Sequence, residues 1–110
     1  MRAILLSLAA LALSQAALGA GTAEKGKATY VKHGCWQCHG FDGQGGSAGS
    51  KLAPSPMALE AMSAFVRNTS GAMPPYTKAI LSDADLADIH AFLQSLPKSK
   101  DYKSIPLLNP

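Results

Sequence analysis

Aromatic residues make up only 6% of this 110-residue chain, and charged residues only 15%. So little charge excludes a highly charged disordered tail, and the length leaves room for one domain rather than a multidomain enzyme. Cysteine is scarce as well. Two residues cannot build the disulfide framework of a small secreted scaffold, and they leave room for a single cysteine-based site. No stretch alternates apolar and polar residues as a half-buried strand does. No basic cluster with interleaved aromatics speaks for nucleic acid, and a formal charge of +3 is too small to argue otherwise.

The hydrophobic fraction of 47% is inflated by the N-terminus. Met1-Arg2 gives a short positive start, and Ala3 to Leu13 is apolar apart from Ser7. Small residues follow, ending in Ala17-Leu18-Gly19-Ala20-Gly21. This is the order of a secretory signal peptide, read here as residues 1–20 with cleavage after residue 19 to 21. The apolar run is shorter than the roughly 20 residues of a membrane span. An exported, periplasmic chain with no span in its mature form is therefore expected.

Beyond that segment the periodicities are helical. Ala23 to Lys32 reads as a short helix with Thr22 as N-cap. Residues Met57 to Asn68 place Ala58, Leu59, Met62, Phe65 and Val66 on one side. Ser82-Asp83-Ala84-Asp85 resembles a capping box, after which Leu86, Ile89, Leu93 and Leu96 share a face until Pro97 stops the helix. The fold class expected is all-α with long connections, over a domain at 21–97. A tail at 98–110, with Pro106 and Pro110, is expected to lie extended on the surface. The glycine-rich stretch from Gly40 to Gly49 matches no phosphate-binding pattern and follows no strand, so it reads as an irregular loop.

One motif carries chemistry. Cys35-Trp36-Gln37-Cys38-His39 is a C-x-x-C-H, the signature of c-type haem attachment. Two thiols one turn apart can add to the two vinyl groups on one side of a porphyrin, and His39 beside them can supply an imidazole nitrogen to iron. A zinc site would need more ligands than His33 and His90 offer. A thioredoxin-like pair should lie near a βαβ pattern, and a disulfide between Cys35 and Cys38 would close a very small loop.

Iron bound by His39 leaves a sixth position for methionine, histidine, lysine or an exogenous ligand. Met57 and Met62 fall on the middle helix, where methionine is more often core filler. His33 is two residues before Cys35, too close to swing to the opposite haem face, and His90 reads as a surface or capping histidine. Met73 stands in Gly71-Ala72-Met73-Pro74-Pro75-Tyr76, where two prolines stiffen the backbone. It is the candidate for the second ligand.

From about Thr22 to Leu96 the chain resembles a class I c-type cytochrome of the small bacterial mono-haem kind. The resemblance rests on Gly26, Tyr30, Cys35, Cys38, His39, Gly40, Gly71, Met73, Pro74, Tyr76, Ile89, Phe92 and Leu93. It implies a cytochrome c-like fold of three to four helices wrapped around one covalent haem c, with Gly26 letting the first helix approach Phe92 and Leu93. It implies His39 and Met73 as axial iron ligands. It further implies a backbone carbonyl near Pro54 orienting the His39 ring, and Arg67 contacting a haem propionate where a solvated helix-end cation is the other reading. With both axial positions filled, the implied role is electron transfer rather than enzymatic. The partners would be redox proteins, a dehydrogenase donor or an oxidase or cytochrome acceptor, or an exported dehydrogenase of which this is the cytochrome subunit. Lys25, Lys27, Lys32, Lys51 and Lys78 could steer an acidic partner, or serve only as solubilising charges. The alternative from another class is a haem sensor or peroxidase-like enzyme with a labile sixth ligand.

Overall fold

The computed structural model describes residues 21–54 and 57–109, so the signal-peptide reading of residues 1–20 lies outside the described residues. Four α-helices follow in order: α1 (Ala23–Lys32), α2 (Trp36–His39), α3 (Leu59–Arg67) and α4 (Asp83–Ser95). No strand occurs among the described residues, and the fold is all-α and cytochrome c-like. None of these helices is long and apolar enough to cross a membrane.

The first and last helices carry the fold by packing on each other. Their crossing is close because Gly26 has no side chain: a Cβ there would run into the Asp88 carbonyl and come within 2.8 Å of the Phe92 Cβ. Around the crossing lies the core of Tyr30, Leu86, Ile89, Phe92 and Leu93, joined by Val66 of α3, Leu81 and Ala53. The Tyr30 and Phe92 rings meet at 5.5 Å and a tilt of 58°, an arrangement that aromatic quadrupoles favour.

Local sequence explains the helix ends. Ser82 caps α4, its hydroxyl accepting from the Asp85 N–H at 3.1 Å. Leu96, forced out of helical geometry by Pro97, ends the helix with ψ 138°. Thr22 occupies the N-cap of α1 as expected, but its side chain makes no capping bond. Its amide instead donates to the Asp88 carboxylate at 2.6 Å, a further tie between α1 and α4.

Two expectations are corrected. Helix α3 starts two residues later than Met57, because Ala58 is extended (ψ 149°) and the Met57 carbonyl is taken by the His90 ring at 2.9 Å. The tail is not extended: it forms two single-turn 3₁₀ helices, Tyr102–Ser104 and Pro106–Leu108. Asp101 nucleates the first, accepting from the Lys103 amide at 3.0 Å and from the Ser104 hydroxyl at 2.7 Å. Asn109 then reaches back to the Tyr102 carbonyl at 2.6 Å, drawing the two turns together. Leu107 remains 93% exposed.

Candidate functional site

The C-x-x-C-H segment is held by α1. The Cys35 amide donates to the Tyr30 carbonyl at 3.2 Å, and the fully buried Tyr30 phenol donates to the Gly40 carbonyl at 2.7 Å. One residue thus grips the motif at both ends, from inside the core. Between those grips the chain makes a single helical turn, α2, closed by His39 N–H to Cys35 carbonyl at 3.0 Å and Gly40 N–H to Trp36 carbonyl at 2.9 Å. Cys35 and Cys38 are therefore one turn apart, both free thiols, the first half-buried and the second exposed. Burial pushes the Cys35 thiol above its usual range.

His39 ends this turn, and its Nδ1 lies 2.7 Å from the carbonyl oxygen of Ser50. A carbonyl only accepts, so Nδ1 carries the proton and Nε2 of the neutral ring keeps its lone pair, the form that binds a metal. The orienting carbonyl is that of Ser50, four residues before Pro54. The glycine loop sets that register. Gly43 accepts from the Leu52 and Ala53 amides at 2.7 and 3.0 Å, and Gly46 donates to Gly49 at 2.9 Å. Positive φ at Gly40, Gly43 and Gly45 fits the irregular-loop reading. Gly49 lies flat against the motif, where a Cβ would meet the Cys38 carbonyl at 2.7 Å and His39 Nδ1 at 2.9 Å. Pro54 is half-buried after a cis peptide bond, beside Lys51, Lys98 and Ser99.

Met73 is half-buried and packs against the core. The chain after it is fastened at Tyr76, whose amide donates to the Val66 carbonyl at 2.8 Å and whose phenol donates to the His33 carbonyl at 3.1 Å. Burial raises the Tyr76 phenol above its usual pKa, and the nearby Cys35 and Cys38 thiolates add to this. Arg67 is not a solvated helix-end cation. Its side chain is only 12% exposed, Nη1 donating to the Tyr76 carbonyl at 2.7 Å and Nη2 to Asp83 Oδ1 at 2.9 Å. Bonds from Lys78 and Arg67 hold the Asp83 carboxyl below its usual range. Two buried donors at this end of α3, Arg67 Nε and the Thr69 hydroxyl, have no protein partner.

His90 is buried rather than a surface or capping residue, its Nε2 donating to the Met57 carbonyl. Lys25, Lys27, Lys32 and Lys51 are exposed, and Lys78 pairs with Asp83 at 2.8 Å. Trp36, between the two cysteines, stacks on the exposed Phe41 ring at 4.6 Å and 11°. The described residues include no group of three or more His, Cys, Asp or Glu able to hold a metal by themselves.

Sequence reasoning missed Ser50, Gly49 and the double grip of Tyr30. Ser50 acts through a backbone carbonyl that any residue could supply, and so leaves no signal in side-chain type. In comparison with known proteins, the family model described as "Cytochrome C oxidase, cbb3-type, subunit III" matches residues 21–93. No curated protein and no solved structure matches the chain.

Proposed function

The chain belongs to the family described as cytochrome C oxidase, cbb3-type, subunit III, a c-type cytochrome domain, and from that premise we propose that it is a mono-haem electron carrier with His39 and Met73 as axial ligands. Haem-based electron transfer is the family's general chemistry. The observation that carries the finer reading is the Ser50 carbonyl on His39 Nδ1, which leaves Nε2 as a fixed lone-pair donor beside two free thiols.

The residues present fit a haem c. Cys35 and Cys38 are spaced to add S–H across two vinyl groups, giving two thioethers with no by-product. The orphaned Arg67 Nε and Thr69 hydroxyl suit the carboxylate oxygens of a propionate, and each would otherwise be a costly unpaired donor. Pro54 stays in the proposal as a residue of the haem surround. When bound, the haem supplies the Fe(III)/Fe(II) couple, one electron at a time, with a potential raised by methionine ligation.

The protein's own contribution is to hold the ligands. His39 is locked in one tautomer, and Met73 sits on a proline-stiffened loop, so little need move when the charge changes. Such rigidity suits a carrier rather than an enzyme, which needs an open coordination position. The exposed lysines support brief, charge-steered docking to an acidic redox protein, of the kind that buries less than about 1,200 Å². Export to the periplasm follows from the reading of residues 1–20, where haem c is attached and donor and acceptor proteins meet it.

The test is the visible spectrum of the oxidised and dithionite-reduced protein, made in a host with haem c maturation machinery. Sharp reduced α and β bands, with the far-red sulfur-to-iron band in the oxidised form and its loss in Met73→Ala, are expected. A high-spin spectrum that shifts with carbon monoxide would overturn the carrier in favour of the sensor or peroxidase-like alternative.

A further inference from the structure

The loop that carries Met73 is held very unequally at its two ends. Upstream, Gly71 has φ +108° and open space around its Cα, and Ala72 is exposed. Downstream, Tyr76 makes three hydrogen bonds to two other stretches of chain. Its amide goes to Val66 in α3, its phenol to His33 ahead of the cysteine motif, and its carbonyl receives Arg67 Nη1. Arg67 is itself anchored by Asp83 at the first residue of α4. One guanidinium therefore bridges α3, the loop and α4. Only Pro74 and Pro75 lie between Met73 and Tyr76, and their fixed φ angles transmit the restraint with little slack.

We infer that Arg67 and Tyr76 are positioning residues that clamp the Met73 loop and set how readily Met73 gives up its place to an outside ligand. The inference rests on the His39/Met73 reading. Moving Met73 away means swinging the segment about Gly71, and the swing is resisted where Tyr76 is bonded. Arg67 carries more of that resistance than the Tyr76 phenol, because its bonds are charge-assisted and its own side chain is largely withdrawn from water. It also reaches α4 through Asp83, so its loss frees the loop from α4 and removes one of the two bonds that tie Tyr76 to α3.

Imidazole is the probe, titrated against the oxidised holoprotein while the far-red sulfur-to-iron band is followed. Arg67→Gln is expected to tighten imidazole binding about tenfold, the worth of one good hydrogen bond, with Tyr76→Phe and Arg67→Lys giving smaller increases. The same substitutions made in a Met73→Ala background should change imidazole affinity by less than about twofold, since no methionine is left to displace. Covalent haem content is measured for every variant, and affinities are compared per haem. Parent-background affinities within about twofold for both Arg67→Gln and Tyr76→Phe would overturn the clamp. So would an equal gain in both backgrounds, which would mean that the effect does not pass through Met73. If Met73→Ala alone binds imidazole no more tightly than the parent, Met73 is not the ligand, and the reading and the clamp fall together. Where Arg67→Gln yields no holoprotein, Asp83→Asn cuts the same bridge at its exposed end and carries the test.

Discussion

His39 and Ser50 meet at 2.7 Å, ring nitrogen to carbonyl oxygen, across a loop in which Gly49 lies against the motif. The bond does two things at once. It chooses the tautomer, and it lends electron density to the ring through a polarised N–H. Gly49 is what lets the carbonyl come so near, because any side chain there would occupy the space of the Cys38 carbonyl and the ring itself.

Gly49→Ala is therefore expected to loosen the His39 ring. Overpacking of this kind costs about 1–3 kcal/mol, to be read from denaturant unfolding of the holoprotein. With the bond to Ser50 lengthened the ring becomes a weaker donor, and the reduction potential should rise. An unchanged midpoint together with an unchanged potential would show that the loop yields freely.

Tyr30 offers a test by pH. Its phenol is fully buried, and burial first, then the Cys35 and Asp42 charges, push its pKa up to about 12. The native state thus holds the proton that the unfolded chain releases near 10. Stability from this group is complete below about pH 10 and is lost as pH rises from there through about 12. Stability measured at several alkaline pH values should fall across this window, and Tyr30→Phe should flatten the fall. At neutral pH the same substitution should cost about 1–3 kcal/mol, since the Gly40 carbonyl loses its donor.

Gly26→Ala probes the helix crossing. The added methyl meets the Asp88 carbonyl and the Phe92 Cβ, neither of which is the free end of a flexible side chain. The helices must part, and a loss of about 3 kcal/mol or more is expected in urea titration. A loss below about 0.5 kcal/mol would mean that the α1–α4 contact is not as close as described.

What was legible in the sequence follows from where information resides. Cys35, Cys38, His39 and Met73 stand out because each would act through its own side chain, and the cysteine motif is contiguous. The α1 and α4 spans were readable because Thr22, Ser82 and Pro97 mark their ends and apolar residues repeat at helical intervals. Ser50 was not, because a backbone carbonyl is delivered by loop path, and Pro54, the residue near which that carbonyl was expected, marks its position only to within four residues. Arg67 read as a propionate contact or a solvated helix-end cation, and its bonds were hidden because Asp83 and Tyr76, which hold it, come from segments that only tertiary structure brings close. The 3₁₀ turns of the tail were obscured by Pro106, which suggests extension but also suits the first position of a short helix.

The seat of Gly26 against α4 has a consequence for the order of events in the life of the chain. The core closes only when α4 returns to α1, across the long stretch of chain that carries Cys35, Cys38, His39 and Met73. Until Ile89, Phe92 and Leu93 have been synthesised, Tyr30 has little to pack on and its grip on Cys35 and Gly40 has no backing. A chain that stops short of α4 therefore leaves the cysteine turn without the backing of the core. Closure of that long loop is also the slow, entropically costly step of folding, so it comes last.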